Sequence, residues 1–169
     1  MQELKLLEKN KDIIEYLEKN NRKAAYIRNY RDTSNAEYTC TYLGYQLDLG
    51  APEKAILNQV TDLWTVGKSQ PKECDSLFSY WRKKGYMNSD TVWQRITLAA
   101  QGGTQSLLPY LKTLLPKNER YLADLYLKVR RDPSAAAGLY RYKNKSPKEG
   151  EIALYGVKRL IWRDKELAL

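Results

Sequence analysis

The chain has 169 residues, a formal net charge of +9 and no histidine. The length is sufficient for one domain with a hydrophobic core, and no apolar run approaches the roughly 18 residues that a transmembrane helix needs. Because histidine is absent, the commonest general base and metal ligand are excluded, and the two cysteines cannot complete a zinc site made of Cys and His. Catalysis by carboxylates is not excluded.

The excess of Lys and Arg favours an anionic partner, such as nucleic acid, anionic lipid or a polymer that carries carboxylates. These residues are spread over the chain in short clusters, for example at 82–84 and 130–131. Proteins that bind nucleic acid more often concentrate them in one dense stripe. Solvated helix faces therefore explain the charge best, and nucleic-acid binding is the least favoured function.

Helical periodicity extends over almost the whole chain, and no segment alternates for long enough to predict a β-strand. In the first half, Pro52 suits a first helical turn, while Gly67 and Gly85 end two periodic runs. The helices predicted there cover residues 2–30 (two or three short helices broken near Asn10 and Asn20), 35–49, 52–66 and 71–84.

In the second half, polar caps and prolines mark the helix boundaries. Asp132 and Pro133 provide a cap and a first-turn proline, and Ser146 to Glu149 form the capping-box pattern S-x-x-E. The predicted helices begin at Asn88 or Ser89, near Ser106 (ending at Pro116), at 118 (ending at 131), near Ala135 (ending near Tyr142) and at Ser146.

The predicted helices form pairs that begin roughly every 30 to 36 residues, close to the period of about 34 residues in tetratricopeptide arrays. The consensus positions of that repeat are not filled in register. We therefore predict an all-α fold of irregular stacked helical hairpins, a tetratricopeptide-like α-superhelix or solenoid with no β-sheet. A compact all-α bundle is the alternative.

Cys40 and Cys74 each stand at the head of an apolar helical face, so both are expected to point into the interior. Three interpretations are open at this point. The two residues can be buried free thiols with no special role. They can be a reactive pair, although the chain has no histidine and no C-x-x-C motif. They can also form a disulfide that closes a loop of about 34 residues and indicates an oxidising compartment.

Most of the 14 tyrosines and 4 tryptophans lie on apolar faces, where core packing is the default. Four tyrosines are not clearly placed on an apolar face and are therefore candidates for exposed stacking surfaces: Tyr26, Tyr30, Tyr110 and Tyr140.

No two carboxylates stand out as a catalytic pair. Glu119, Glu149 and Glu151 lie near helix starts, where capping and the helix dipole explain them. The Gly102-Gly103 pair lacks both a preceding strand and the following Lys-Ser/Thr of a phosphate-binding loop, so it indicates the end of a helix.

Residues 63–85, LWTVGKSQPKECDSLFSYWRKKG, resemble a run of the form LWLTGKSQPxxCDxLFxxWxxxG. That run occurs in the N-terminal superhelical region of the soluble lytic murein transglycosylases of Gram-negative bacteria. The matching positions are GKSQP at 67–71, Cys74, Asp75, Leu77, Phe78, Trp81 and Gly85. The resemblance continues more weakly through residues 95–99 and 107–116, and Cys40 followed by Tyr42 resembles the family's other cysteine.

The resemblance implies a periplasmic protein whose helices form part of a ring that carries a lysozyme-like catalytic domain. Enzymes of this family cleave the glycosidic bond between N-acetylmuramic acid and N-acetylglucosamine, need no cofactor and leave a 1,6-anhydromuramyl end. In family members the two matching cysteines form a disulfide. By resemblance, Cys40 and Cys74 are therefore expected to be bonded to each other.

The family's catalytic domain carries a Glu-Ser motif, a Gly-Leu-Met-Gln segment and an Ala-Tyr-Asn segment, and none of these occurs here. We therefore carry over no catalytic residue. Residues 1–169 are expected to be part of the superhelical, ring-forming domain, with the catalytic domain absent. The chain is expected to be inactive when isolated and to need no cofactor or metal.

The expected role is a scaffold and a guide for peptidoglycan glycan strands. The expected partners are those strands and the enzyme's own C-terminal catalytic domain, with no nucleic acid. The chain is also expected to be able to form a homodimer through an exposed end of the helical array. The basic residues that are candidates for contact with peptidoglycan carboxylates are Lys68, Arg82, Lys83, Lys84 and Arg95. The alternative function is a generic helical-repeat module that binds a protein partner.

Overall fold

The computed structural model describes residues 11–163, except Leu17, Asn21, Thr33, Leu139 and Tyr140. All regular structure in these residues is helical, with no strand, so the predicted all-α fold is confirmed. None of the helices in this part of the chain is long and apolar enough to cross a membrane. Residues 2–10 of the first predicted helices lie outside the described residues.

The chain forms two compact units. The first comprises Met1–Trp64 and Gln70–Met87, and the second comprises Thr65–Ser69 and Asn88–Leu169. Within each unit, every α-helix packs against the next one along the chain, the pattern of irregular helical hairpins that the sequence predicts.

The helices of the first unit are α1 (Lys23–Asn29), α2 (Ala36–Asp48), α3 (Glu53–Trp64) and α4 (Asp75–Lys83), and residues 11–16 and 18–19 are also helical. The predicted helix at 71–84 begins as a 3-10 turn, Lys72–Cys74, because the extended Pro71 accepts a hydrogen bond from the N–H of Cys74 three residues later. At its other end, Gly85 adopts φ 81°, the left-handed conformation that closes a helix at low cost in glycine.

The helices of the second unit are α5 (Ser89–Gln101), α6 (Leu108–Leu114), α7 (Arg120–Arg131) and α8 (Pro147–Arg163). Short 3-10 turns occupy Gln105–Leu107, Lys117–Glu119 and Pro133–Ala137.

The predicted caps of the second unit are confirmed. The side chain of Asn88 caps α5 by accepting hydrogen bonds from the N–H groups of Asp90 and Thr91. Asp132 accepts a hydrogen bond from the N–H of Ser134. The helix expected near 135–142 is instead the 3-10 turn Pro133–Ala137. It ends at Gly138, whose N–H donates to the Ala135 carbonyl three residues back.

The core of the first unit contains the apolar face predicted for α4. Cys74, Leu77, Phe78 and Trp81 are all buried. The ring of Trp81 lies 5.2 Å from that of Trp64, centre to centre, and its indole N–H donates to Thr61 Oγ1 at 2.9 Å. The burial of the tryptophan therefore leaves its polar N–H satisfied.

Tyr26, a candidate for exposure in the sequence analysis, is fully buried, and that expectation is wrong. Its hydroxyl donates to the Tyr38 carbonyl at 3.1 Å, and its ring meets that of Tyr45 edge-on at 5.2 Å. Of the other candidates, Tyr110 is exposed and Tyr30 is half-buried, stacked on Tyr42 at 4.0 Å. Tyr140 lies outside the described residues.

Two glycines of the second unit, 36 positions apart in sequence, touch through their backbones. A Cβ built on Gly103 would lie 2.1 Å from the carbonyl oxygen of Gly67, and that oxygen accepts a hydrogen bond from the N–H of Thr104 at 2.7 Å. Gly103 thus provides more than the end of a helix. It allows the 65–69 segment to lie directly against the end of α5.

Candidate binding cleft

A cleft of about 870 Å³ lies in the second unit, where the first turns of three helices meet. Asp90 and Trp93 of α5 line one side, Glu119 and Tyr121 line a second side at the start of α7, and Lys148 lines a third at the start of α8. The volume falls within the range of about 300–1,000 Å³ that is typical of small-molecule sites.

Glu119 joins two of these helix starts through hydrogen bonds. Its carboxylate accepts from Ser89 Oγ at 2.8 Å and from Lys148 Nζ at 2.6 Å, and the ammonium also donates to Ser89 Oγ at 3.2 Å. The hydrogen bond from Lys148 holds the pKa of Glu119 below its ordinary value, although partial burial opposes it. Glu119 is therefore ionised at neutral pH, which does not suit a general acid.

Glu149 forms the predicted capping box next to the cleft. Its N–H donates to Ser146 Oγ at 3.3 Å, while its carboxylate accepts from the N–H of Ser146 at 3.0 Å. The same carboxylate, 1% exposed, accepts from Tyr121 Oη at 2.9 Å and from the N–H of Asn144 at 3.3 Å. Burial raises the pKa of Glu149, but these hydrogen bonds outweigh burial and lower it. The network fixes Tyr121 and Asn144 in the cleft wall.

Trp93 forms part of the wall and offers no stacking platform. The side chain is 5% exposed, and its ring packs 5.7 Å from that of Tyr126, centre to centre. The indole N–H donates to Glu151 Oε2 at 2.7 Å, and Lys148 Nζ lies 5.7 Å from the ring centre. The polar edge of the indole therefore orients one carboxylate of the cleft.

Three side-chain amides border the cleft, those of Gln94, Asn118 and Asn144. Asn144 Nδ2 donates to Tyr121 Oη at 2.8 Å. The exposed side chains of Gln94 and Asn118 make no hydrogen bond with any described residue. Each of these two amides can both donate and accept hydrogen bonds.

Two carboxylates at the cleft, those of Glu119 and Glu149, do not suit the role of a general acid. Both Glu119 and Glu149 have lowered pKa values, whereas a glycosidase acid needs a raised one. The described residues also contain no group of three or more Cys, Asp or Glu side chains placed to hold a metal ion. The arrangement is suited to hydrogen bonding with a polar ligand.

Cys40 and Cys74 form a disulfide in the first unit, so the pairing expected from the family resemblance is confirmed. Their Cα atoms are 5.1 Å apart, and the exposures of the two residues are 2% and 0%. The bond joins α2 to the 3-10 turn that precedes α4. Because both residues are buried, a structural bond is favoured over the reactive-pair interpretation.

Three of the predicted basic contacts, Arg82, Lys83 and Lys84, are exposed at the end of α4. Their positive charges lie at a helix C-terminus, where the dipole stabilises them. Lys84 Nζ also forms an ion pair with Glu53 at 2.9 Å. A solvated helix end accounts for this cluster, and contact with an anionic ligand stays a prediction.

The other two predicted contacts lie in the second unit. Lys68 is exposed, whereas Arg95 is 6% exposed and its Nη2 donates to the carbonyl oxygen of Lys68 at 3.1 Å. Burial lowers the pKa of the Arg95 guanidinium. Arg95 therefore supports the backbone at Lys68 from the interior, a position that does not favour contact with a polymer.

A second, smaller cleft of about 530 Å³ lies in the first unit. Glu18, Asp48 and Glu73 line it, and Gly44 leaves open space where a side chain would otherwise project. Burial raises the pKa of Glu18, and neighbouring carboxylates add to the rise. The lining is acidic although the chain as a whole is basic.

The sequence similarity of the chain lies with one group of enzymes. Over 98 residues, 58% of this chain, it is 34% identical to the soluble lytic murein transglycosylase of Salmonella typhimurium and 32% identical to that of Escherichia coli K12. Over this segment the chain is similar in sequence to the soluble lytic murein transglycosylases. The match covers 15% of the length of either relative. No protein-family profile matches the chain.

Solved structures of lytic transglycosylases have a similar fold. An inactive mutant of Slt from Pseudomonas aeruginosa superposes with a TM-score of 0.75 and 27% identity, over 94% of this chain and 29% of that one. The 70 kDa enzyme from Escherichia coli gives a TM-score of 0.65 and 22% identity, over 92% and 25% of the two chains. The helical array of this chain therefore corresponds to part of a larger protein in both structures.

The cleft was not predicted from the sequence, and capping does not account for two of its carboxylates. Glu149 forms a cap as predicted, but Glu119 makes no side-chain cap bond and instead binds Lys148 and Ser89. Glu151 accepts from Trp93, 58 residues away. The available signal was a set of polar residues at the starts of α5, α7 and α8, which becomes a site only when these helices are packed together.

Proposed function

We propose that this chain is a non-catalytic superhelical segment of a periplasmic soluble lytic murein transglycosylase. In the whole enzyme it acts as a scaffold for the catalytic domain and guides peptidoglycan glycan strands toward it. The complete reaction is cleavage between N-acetylmuramic acid and N-acetylglucosamine with a 1,6-anhydro product.

The observation that carries this proposal is the similarity to one segment of these enzymes in both sequence and fold, together with the disulfide between Cys40 and Cys74, of which Cys74 lies in the 63–85 motif. The catalytic Glu-Ser, Gly-Leu-Met-Gln and Ala-Tyr-Asn motifs do not occur in the 169 residues. The carboxylates with lowered pKa values, Glu53, Glu119 and Glu149, are each held by hydrogen bonds. These features support a structural and binding role for the segment.

Incubation with purified sacculi tests both parts of the proposal. We expect the chain to co-sediment with sacculi at low salt and to release no anhydro-muropeptides, as measured by chromatography and mass spectrometry. Release by the purified chain refutes the non-catalytic assignment. Failure to co-sediment refutes the guiding role.

Variants measure how much the exposed basic residues contribute to the binding of sacculi. Replacing Lys68, Arg82 and Lys83 with Ala is expected to weaken co-sedimentation if they contact peptidoglycan carboxylates, and the effect should diminish with added salt. Replacing the exposed Lys54, Lys128 and Lys158 is the matched control, because it removes the same number of positive charges from helix surfaces. Equal losses in the two variants would indicate only a general effect of net charge.

The second candidate function is a helical-repeat module that binds a protein. The observation in its favour is the exposed apolar face of α8, formed by Leu154, Val157, Ile161 and Trp162. The predicted homodimer uses such a surface. Sedimentation velocity over a range of concentrations tests the dimer, and replacement of Val157 and Ile161 with Ser should abolish it. A monomer at every concentration refutes this oligomer.

A further inference from the structure

We propose that the cleft at the starts of α5, α7 and α8 binds an uncharged stretch of N-acetylated glycan. The inference rests on the proposed function, because it assigns a specific site to the strand that the segment would guide. It adds a second kind of contact to that of the basic surface residues, namely hydrogen bonding to the sugar backbone.

The charge of the cleft favours a neutral ligand over an anionic one. Among the described lining residues, the carboxylates of Asp90, Glu119 and Glu151 outnumber the single ammonium of Lys148. That ammonium is already paired with Glu119 at 2.6 Å. A free carboxylate, such as that at the end of a stem peptide, would meet like charges, whereas a sugar ring would not.

The hydrogen-bonding groups match the chemistry of an amido sugar. Ionised carboxylates accept hydrogen bonds, and those of Asp90 and Glu151 can accept from sugar hydroxyl groups. The amides of Gln94 and Asn118 can pair with the N–H and C=O of an N-acetyl group. A glycan that carries both hydroxyl and N-acetyl groups can therefore hydrogen bond to the carboxylates and to the amides of this one cleft.

The cleft is held in place before any ligand arrives. Glu119 links Ser89 to Lys148, and the buried Glu149 holds Tyr121 through its hydroxyl. Trp93 orients Glu151 with a 2.7 Å hydrogen bond. Because the fold already fixes these groups, ligand binding does not have to order them, and the loss of side-chain conformational entropy on binding is small.

The experiment is a titration of the ¹⁵N-labelled chain with chitotetraose, a neutral oligomer of N-acetylglucosamine, followed by NMR. We expect shifts in the indole N–H of Trp93 and in the side-chain amides of Gln94 and Asn118. The affinity should change little with ionic strength, since the ligand has no charge. Shifts confined to other regions, or none at all, overturn the inference.

Two paired variants provide the control. Gln94→Ala with Asn118→Ala should weaken binding of chitotetraose at least about fivefold, because each removes a group that would otherwise bond to the ligand. Asn58→Ala with Gln59→Ala removes the same two side-chain types from an exposed face of α3, outside the cleft, and should leave the affinity unchanged. Equal binding by the wild type and the cleft variant overturns the inference.

A stem peptide with free carboxylates is the competing probe. If it shifts the cleft resonances more strongly than chitotetraose, with an affinity that falls as salt is added, a peptide site replaces the glycan site and the inference fails. Co-sedimentation with sacculi separates this failure from that of the proposed function. Sacculus binding without chitotetraose binding refutes only the cleft assignment, whereas loss of both refutes the guiding role as well.

Discussion

The disulfide allows a quantitative prediction, because reduction removes the cross-link while leaving both sulfur atoms in the protein. Cys40 and Cys74 are 34 positions apart. In the chain-entropy model, closing a loop of this length in the unfolded state contributes about 4 kcal/mol to the free energy of unfolding at 25 °C. Typical domains have only about 5–15 kcal/mol in total, so the first unit should be close to unfolding when reduced.

Urea denaturation of the oxidised and reduced chain measures this difference. With a typical m-value of about 1–3 kcal/mol/M, the transition of the first unit should move to lower urea by more than about 1 M. The Cys40→Ala, Cys74→Ala double variant should be destabilised by at least as much, since it also loses buried sulfur atoms. Reductant should have no further effect on that variant.

Hydrogen exchange locates the effect. The disulfide joins α2 to the 3-10 turn that leads into α4, so amides of α2 and α4 should lose protection on reduction. Helix α8 contains no residue of the closed loop and is the internal reference. Coincident urea transitions for oxidised and reduced protein, or an equal loss of protection in α8, would refute the reasoning.

The glycine contact and the capping network lead to two further predictions. Gly103→Ala should lower the free energy of unfolding by at least about 2 kcal/mol, because the new Cβ would lie 2.1 Å from the carbonyl oxygen of Gly67. Gly102→Ala is the control: its Cβ would have no atom within 4 Å, so the free energy of unfolding should change by less than about 0.5 kcal/mol. Urea denaturation compares the two, and similar values would contradict the contact. Glu149→Gln should cost about 1–3 kcal/mol at pH 7, because the amide cannot accept from every donor around it. The lowered pKa means that the stabilisation by Glu149 is complete above its ordinary value of 4.5 and is lost as the pH falls through the native value. Melting curves from pH 7 to pH 3 should therefore decline less steeply in this variant, and parallel curves would refute the assignment.

The features that the sequence predicts well are those determined by neighbouring residues. The capping box at Ser146 to Glu149 and the cap at Asp132 each involve atoms within three residues, so the local sequence contains the whole interaction. The apolar face from Cys74 to Trp81 repeats regularly enough to identify the buried side of α4.

Features that depend on contacts between distant residues were not predictable in this way. Tyr26 lies in α1, which has only 7 residues, too few to establish a periodicity that distinguishes its buried side. The contact between Gly67 and Gly103 and the hydrogen bond between Trp93 and Glu151 join residues on separate elements. The sequence signals for these contacts are glycines near helix ends and carboxylates near helix starts. Such residues have simpler local explanations, which are correct elsewhere in the chain.

The location of the disulfide has a consequence for the order in which the chain can mature. Both cysteines belong to the first unit, which ends at Met87, so their pairing requires no residue that is synthesised after Met87. Within these 169 residues, the two cysteines can pair in only one way. Oxidation can therefore lock the first unit while the second is still emerging, which would protect the early part of the array from proteolysis during that interval.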